Sequence, residues 1–246
     1  MSGGRIIDGS LDDRGETLLG SDGNIYDPNK VAWLPPASPT KIIGLVLNYS
    51  DHANELGLST ATEPVLLFKP NNTLLGHLGN IIYPTAVSYM HYEAELVVVI
   101  GRECRRVKAS AANDCIKGYT IGNDVTVRDF ITNTFRPPIK AKSFDTFLPL
   151  GPCVVTLDEL NNISNLNLTT KVNGELRQQG NTKNLMHSVP ELIQYISDFM
   201  TLEEDDLIMT GTPKGISPIK PGDEVEISID NIGTLKNMVI AEGTRS

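Results

Sequence analysis

The sequence predicts a mainly β fold with few helices. Short β-branched and apolar runs recur along most of the chain, and turn-forming residues, including 21 glycines and 15 prolines, separate them. The longest such run, Leu96–Ile100, is unbroken, which is typical of a strand buried on both faces. A chain of 246 residues with 40% hydrophobic content can bury one large core and carry a small appendage.

The first 40 residues are predicted to form a separate, small β-rich segment. Turn signals at Asp8-Gly9, Leu19-Gly20 and Asp22-Gly23 separate short apolar pieces. A proline-rich stretch, Trp33–Pro39, then reads as an extended and stiff connector. We therefore divide the chain into residues 1–40, the N-terminal segment with its linker, and residues 41–246, the main domain.

Most of the main domain is assigned to strands. They are predicted at Lys41–Leu47, Val65–Lys69, Ile81–Tyr83, Glu93–Ile100, Cys115–Asn123, Gly151–Leu157, Leu166–Asn173, Asp206–Thr210, Glu224–Ile229 and Thr234–Met238. Helices are predicted at Ala109–Asp114, Val127–Asn133 and Val189–Met200, with local helical potential over Asn48–Glu55. The helix at Val189 is the best supported, because Ser188 and Glu191 have the spacing of a capping box.

Composition and charge exclude several classes of protein. The formal net charge of −9 disfavours a nucleic-acid partner. No apolar run approaches the roughly 20 residues of a membrane span, and the N-terminus lacks the apolar core of a signal peptide. Three cysteines without paired spacing indicate reduced thiols that fill the core. We expect a cytoplasmic protein.

The pair Glu93 and Glu95 is the first candidate site. Residues two apart on a strand share a face, so both carboxylates project to one side. Like charges beside a core strand repel each other unless a cation lies between them, and Mg²⁺ or Mn²⁺ prefers such oxygen ligands. The alternative is an edge strand with a solvated acidic face. His91 shares this strand face, and it is either a further ligand of the cation or only a neighbour of the two glutamates.

One further acidic residue and one basic residue each allow two interpretations. Asp124 follows the strand that ends at Asn123, where it could cap a helix or become a third carboxylate ligand. Lys142 lies among small and turn-forming residues. It is either a solvated surface charge or a cation that balances the charge of a carboxylate-lined pocket and holds an anionic substrate.

A histidine–glutamate pair and a glycine-rich turn complete the candidate residues. His52 and Glu55 are three apart on one helical turn, the arrangement of a general base or of an ordinary exposed pair. Thr210–Ile216 is a turn bracketed by Gly211 and Gly215 that offers backbone N–H and hydroxyl donors to a carboxylate. It lacks the spacing of a P-loop.

Taken together, the motifs resemble the fumarylacetoacetate hydrolase superfamily. In chain order they are His-x-x-Glu, Phe-Lys-Pro, Glu-x-Glu, Gly-Asn-Asp, Lys-Ser-Phe-Asp and Thr-Gly-Thr-Pro, and the resemblance runs from about Lys41 to Ile240. The segments Tyr89–Leu96, Val172–Gly180 and Phe199–Leu202 are most similar to one branch. That branch contains the isomerase/decarboxylases of homoprotocatechuate (4-hydroxyphenylacetate) breakdown.

The resemblance implies a mixed β-sandwich roll, a homodimer and a set of site residues. Glu93, Glu95 and Asp124 would bind Mg²⁺ or Mn²⁺, and Lys142 would match the active-site lysine. His52 and Glu55 would form a dyad on a lid over the substrate. Thr212 and Gly211 would close the pocket near a substrate carboxylate, and we place Asn71, Asn72 and Arg128 near the distal one.

The implied activity is that of a metal-dependent isomerase/decarboxylase. Its substrates would be small 2-oxo or 2-hydroxydiene acids, such as 5-oxopent-3-ene-1,2,5-tricarboxylate and 2-hydroxyhepta-2,4-diene-1,7-dioate, reacting through a metal-bound enolate. Two alternatives keep the same scaffold. One is a C–C hydrolase of acylpyruvates such as fumarylpyruvate, or an oxaloacetate decarboxylase. The other is a non-catalytic metal-binding β-domain.

Overall fold

The computed structural model of the protein describes residues 5–12, 17–55, 57, 62–131, 137–160 and 162–244. The chain forms two compact units, Met1–Trp33 and Leu34–Ser246. The first unit contains a three-stranded antiparallel sheet of β1 (Gly9–Leu11), β2 (Leu18–Gly20) and β3 (Ile25–Tyr26). No helix within the described ranges is long and apolar enough to cross a membrane.

The second unit is built mainly from strands. They are β4 (Ile42–Val46), β5 (Val65–Lys69), β6 (Leu74–Leu75), β7 (Asn80–Tyr83), β8 (Met90–His91), β9 (Ala94–Ile100), β10 (Ile116–Asn123), β11 (Thr126–Val127), β12 (Leu148–Thr156), β13 (Asn167–Val172), β14 (Glu175–Asn181), β15 (Leu207–Met209), β16 (Pro218–Ile219), β17 (Glu224–Ile229) and β18 (Gly233–Ala241). The prediction of a mainly β fold with few helices is confirmed.

Three sheets use these strands. The largest has the order β5-β4-β15-β9-β10-β12-β6, the second has the order β14-β13-β17-β18-β7, and the smallest has the order β11-β8-β16. Both larger sheets mix antiparallel pairs with parallel ones, for example β15 with β4 and β18 with β7. Such mixing is common in large sheets whose strands are joined by long connections.

The helices are short. They are α1 (Ser50–Glu55), α2 (Ile139–Lys142) and α3 (Val189–Phe199), with 3₁₀ turns at Pro28–Lys30, Asn71–Thr73, Ala109–Cys115, Arg128–Phe130, Ile163–Asn165 and Thr182–Asn184. At the start of α3 the Glu191 carboxylate accepts hydrogen bonds from the Ser188 N–H and hydroxyl, at 2.8 and 2.7 Å. This is the start that the capping-box spacing predicts.

Strand β9 is the centre of the fold, and every one of its residues is buried. Its side chains alternate between two apolar clusters, because successive residues of a strand point to opposite faces. Leu96, Val98 and Ile100 join the larger cluster, whereas Val97 and Val99 join a smaller one on the other face. Full burial of each such side chain stabilises the fold by roughly 1.5–3 kcal/mol.

Some sequence predictions differ from the structure. The helix predicted at Val127–Asn133 is wrong over its described part, because Thr126–Val127 pairs with β8 as a strand and only a 3₁₀ turn follows. The rest of that prediction, from residue 132, lies outside the described residues. Strand β14 is absent from the prediction, since its sequence is mostly polar. It pairs with β13 across the turn at Asn173-Gly174, where both residues have positive φ.

The cysteines differ in burial. Cys104 and Cys115 lie in the core, as predicted, but Cys153 is exposed on β12.

Candidate metal and active site

The three candidate carboxylates lie together at one end of the β9–β10 ladder. Glu95 pairs with Gly122 in this ladder, and just beyond it the Asp124 N–H donates to the Glu93 carbonyl at 2.9 Å. All three residues are buried, and one carboxylate oxygen from each lies within 4.8 Å of the others. The ladder register therefore delivers one glutamate pair and one aspartate to the same place.

Lys142, the last residue of α2, is bonded to two of these carboxylates. Its Nζ lies 3.0 Å from Glu93 Oε2, 2.5 Å from Asp124 Oδ2 and 2.7 Å from Thr126 Oγ1. Burial alone would lower the pKa of this ammonium group, but the charges of Asp124 and Glu93 outweigh burial and raise it. Lys142 is therefore a fixed positive charge, not a surface lysine.

Lys69 is a site residue to which the sequence reasoning gave no role. It ends β5 and is buried, and its Nζ lies 2.6 Å from Asp124 Oδ1 and 2.7 Å from the Lys142 carbonyl oxygen. Burial lowers the pKa of Lys69, partly offset by Asp124. The available signal was a lysine that ends an apolar strand within the Phe-Lys-Pro motif.

Asp124 and Glu95 have opposite pKa shifts. Burial would raise the pKa of Asp124, but Lys142 and Lys69, one on each carboxylate oxygen, lower it overall. The pKa of Glu95 is raised well above its usual range by burial and by the charges of Asp124 and Glu93, although the Gly211 N–H donates to it at 2.7 Å. Asp124 is not a helix cap here, because strand β11 follows it.

The donor set fits a hard divalent cation. Three buried carboxylates converge, and two lysine ammonium groups offset only two of the three negative charges. Mg²⁺ and Mn²⁺ take oxygen ligands and tolerate open positions for water or substrate. Among the residues that the structure describes, the lysines pair with Glu93 and Asp124 but not with Glu95, and a divalent ion would supply the missing positive charge.

His91 is a neighbour of this cluster within β8. Its Nδ1 lies 3.7 Å from Glu93 Oε1 and 3.2 Å from the Tyr92 carbonyl oxygen. Burial lowers the pKa of His91 to about 4, so the imidazole is neutral at pH 7. Among the described residues, it is not part of the group that could share an ion, which is limited to the three carboxylates.

The His52–Glu55 pair lies on α1, as the spacing predicts. His52 Nδ1 is 3.0 Å from Glu55 Oε2, and the histidine is buried while the glutamate is partly exposed. The other carboxylate oxygen of Glu55 accepts the Gly215 N–H at 3.0 Å. Residues 210–216 thus contact both parts of the site, through Gly211 to Glu95 and through Gly215 to Glu55.

The predicted substrate contacts occupy several different environments. The Gly211 N–H is bonded to Glu95, and the Thr212 hydroxyl accepts a hydrogen bond from Gln178 Nε2 at 2.8 Å. The Asn71 amide donates to the Pro39 carbonyl at 2.7 Å. Arg128 is half-buried and begins a 3₁₀ turn. The roles of all four in substrate binding stay predictions.

The fold and the cluster of buried carboxylates and lysines are consistent with one protein family. The model for the C-terminal domain of fumarylacetoacetate (FAA) hydrolase matches residues 41–240, so the chain belongs to this family.

Particular relatives are similar over most of this chain. A 4-hydroxyphenylacetate degradation bifunctional isomerase/decarboxylase from Salmonella dublin is 44% identical over 87% of this chain and 50% of its own length. This chain therefore spans half of that relative. Among solved structures, a 5-carboxymethyl-2-hydroxymuconate delta-isomerase from Mycobacterium smegmatis has a TM-score of 0.84 and 38% identity, covering 96% of this chain and 94% of its own.

A more distant solved structure carries a metal and a small 2-oxo acid. It is a fumarylpyruvate hydrolase from Pseudomonas aeruginosa in complex with Mn²⁺ and pyruvate, with 29% identity and a TM-score of 0.79. The match covers 84% of this chain and 91% of the hydrolase.

Proposed function

We propose that this protein is a divalent-metal-dependent isomerase/decarboxylase that uses Mg²⁺ or Mn²⁺. Its substrates would be 2-oxo or 2-hydroxydiene dicarboxylates or tricarboxylates of aromatic (4-hydroxyphenylacetate) catabolism. One observation carries the proposal: three buried carboxylates converge within 4.8 Å, two of them bonded to Lys142. The isomerase/decarboxylase relative and the isomerase structure support the reaction class.

The chain's own residues hold this site in a fixed geometry. Bound to Glu93, Glu95 and Asp124, the cation would supply Lewis acidity and open positions for a 2-oxo acid. Lys142 orients Glu93 and Asp124 from one side, and Lys69 orients Asp124 from the other. The Lys142 ammonium adds positive charge where negative charge grows on the substrate oxygen during decarboxylation or deprotonation.

His52 and Glu55 would move the proton. The Glu55 carboxylate accepts the Nδ1 proton of His52, which leaves Nε2 with a lone pair to act as a base. The Gly215 N–H fixes Glu55 and thereby the ring. His52 would then carry a proton between the enol oxygen and a carbon of the conjugated chain, which interconverts the dienol and oxo-ene forms.

The experiment is an assay of the purified protein against 2-oxo dicarboxylates and 2-hydroxydienoates, with Mg²⁺, with Mn²⁺ and after chelation. We expect turnover only with added metal. It should appear as loss of diene absorbance with the seven-carbon 2-hydroxyhepta-2,4-diene-1,7-dioate, and as release of CO₂ when 5-oxopent-3-ene-1,2,5-tricarboxylate is added to the panel. Metal-independent turnover, or none on any member of the panel, would contradict the proposal.

A C–C hydrolase is the second candidate, favoured by the similarity to a fumarylpyruvate hydrolase. In that reaction His52 would activate a water, and the water would attack the distal carbonyl of an acylpyruvate. Mass spectrometry of the products separates the two reactions, because only hydrolysis gives pyruvate and a second acid from an acylpyruvate.

We further propose that the protein acts in the cytoplasm as a homodimer, with no nucleic-acid or membrane partner. The net charge of −9 supports the exclusion of nucleic acid. Light scattering after gel filtration tests the oligomeric state, and a monomer's mass at micromolar concentration would refute the dimer.

A further inference from the structure

The side chain of Gln178 connects the metal-ligand segment with the Thr-Gly-Thr-Pro turn. It is buried in β14, and its Oε1 accepts hydrogen bonds from the Ala94 N–H at 3.3 Å and from the Thr170 hydroxyl at 2.9 Å. Its Nε2 donates to Thr212 Oγ1 and to the Pro213 carbonyl, both at 2.8 Å. The amide therefore uses both its acceptor positions and both its donor hydrogens.

The partners fix the orientation of this amide. The Ala94 N–H can only donate and the Pro213 carbonyl can only accept, so the oxygen must face Ala94 and the nitrogen must face Pro213. The second hydrogen of Nε2 consequently points at Thr212 Oγ1. A flipped amide would place two donors together on one side and two acceptors together on the other.

This orientation sets the direction of the Thr212 hydroxyl. Because Thr212 Oγ1 accepts from an amide that has no lone pair to offer, the hydroxyl hydrogen must point to some other group. Within the described part of the chain, that hydrogen has no acceptor. Thr212 is 5% exposed, and it directly follows Gly211, whose N–H donates to Glu95.

We propose that Gln178 is a positioning residue that makes Thr212 a dedicated hydrogen-bond donor to a substrate carboxylate. The proposal rests on the proposed function, which supplies an anionic 2-oxo acid as the ligand. A hydroxyl already held as an acceptor needs no reorientation when the carboxylate arrives, so less of the binding energy is lost to ordering. Through Ala94, the same amide holds the backbone between Glu93 and Glu95.

The test measures the affinity of oxalate for the Mg²⁺-loaded protein by calorimetry. The variants are Gln178→Met, Gln178→Glu, Thr212→Val and the double variant Gln178→Met/Thr212→Val. Loss of a hydrogen bond to a charged group weakens binding by about tenfold, and we expect each single variant to reach this loss. The double variant should lose no more than Thr212→Val alone, because Gln178 acts through Thr212.

Two control variants isolate the effect. Thr212→Ser keeps the hydroxyl and should keep the wild-type affinity. Thr170→Val removes one bond from the far side of the same amide and leaves the Thr212 bond in place, so it should change oxalate affinity less than twofold. With a substrate that the enzyme converts, the Gln178→Glu variant should show a larger rise in KM than fall in kcat. The reason is that the carboxylate bound by Thr212 would not be the reacting group.

Several outcomes would overturn the proposal. Additive losses in the double variant would show that Gln178 does not act through Thr212. Equal losses in Thr170→Val and Gln178→Met would show that the effect does not depend on the Thr212 bond. If the Gln178 variants do not fold, equal affinities of Thr212→Val and Thr212→Ser would still refute it. If wild-type protein with Mg²⁺ neither binds oxalate nor turns over any substrate, the proposed function has failed instead.

Discussion

The two chemical parts of the site differ in how the fold holds them. The carboxylates lie at the end of the β9–β10 ladder, where Glu95 is part of a fully buried strand. The His52–Glu55 pair lies on α1, a helix of six residues. A helix of this length is not stable alone in water. The proposed metal ligands are therefore held by the core, whereas the proposed acid–base pair depends on a few specific contacts.

The contacts that hold α1 can be named. Just before it, the Asn48 amide donates to the Thr210 carbonyl at 2.9 Å and to the His187 carbonyl at 3.2 Å. At its end, Glu55 accepts the Gly215 N–H. We therefore expect substitutions to alter the metal-ligand geometry and the proton transfer separately. Four predictions test this division, from the largest expected effect to the smallest.

The largest effect is expected for Glu95→Gln. The amide keeps the shape of the side chain but removes one anionic ligand, so turnover should fall on the order of 10³-fold or more. The rise in Tm on adding Mg²⁺ should also disappear, because a metal stabilises only a fold that binds it. Thermal unfolding with and without Mg²⁺ measures this, with Glu175→Gln, an exposed glutamate, as the control. Full activity in Glu95→Gln would remove the basis of the metal site.

Lys69→Met should have the largest effect on the free energy of unfolding. It leaves Asp124 buried with one cationic partner instead of two, and breaking a buried ion pair costs about 3–5 kcal/mol. Lys117→Met is the matched control, because Lys117 pairs with Asp205 at the surface and such pairs contribute about 0–1 kcal/mol. Urea denaturation compares the two. Similar losses in both variants would show that burial of the Lys69–Asp124 pair has no special weight.

His52→Gln should separate the two parts of the site. Loss of the base lowers kcat by roughly 10²–10⁴-fold. The Mg²⁺-dependent rise in Tm should stay at the wild-type value, since the carboxylates do not depend on α1. His187→Gln serves as a control for loss of a histidine outside the pair. A His52→Gln protein that no longer binds Mg²⁺ would show that the two parts are coupled.

Gly215→Ala tests the contact between α1 and the turn, with a smaller expected effect. Gly215 has φ of +101°, and an added Cβ would lie 3.0 Å from the Arg177 carbonyl oxygen. Strained backbone of this kind costs about 1–3 kcal/mol. To relieve the close contact, the backbone at residue 215 would move, and this movement would displace the N–H that donates to Glu55. We expect a fall in kcat that is smaller than that of His52→Gln.

Gly222→Ala is the matched control for this substitution. Gly222 also has a positive φ, of +93°, but an added Cβ would have no neighbour within 4 Å. It should show the backbone strain alone, as a loss of stability with unchanged kcat. If both glycine variants lower kcat equally, the Gly215–Glu55 hydrogen bond has no role in catalysis.

Sequence patterns predicted the parts of the molecule that depend on local periodicity. The apolar run at Leu96–Ile100 became the central strand, and the two-residue spacing of Glu93 and Glu95 placed both carboxylates at one site. The spacing of His52 and Glu55 likewise produced a bonded pair. In each case, neighbours in sequence decide which side chains share a face.

The remaining features depend on residues far apart in sequence. Lys69 binds Asp124 from 55 positions away, and Gln178 accepts from Ala94 across 84 positions. Neither residue is apolar, so the hydrophobic pattern of the sequence does not reveal its burial. The helix predicted at Val127 failed for the same reason: pairing with β8 decides the conformation there.

The paired lysines have a consequence for how the protein is assembled in the cell. Lys69 and Lys142 offset the charges of Asp124 and Glu93, and burial together with the charges of Asp124 and Glu93 raises the pKa of Glu95, which favours its neutral form. The interior is thus close to electroneutral before any ion arrives. We therefore expect the polypeptide to reach its native state without an ion, and the proposed site to load Mg²⁺ or Mn²⁺ afterwards.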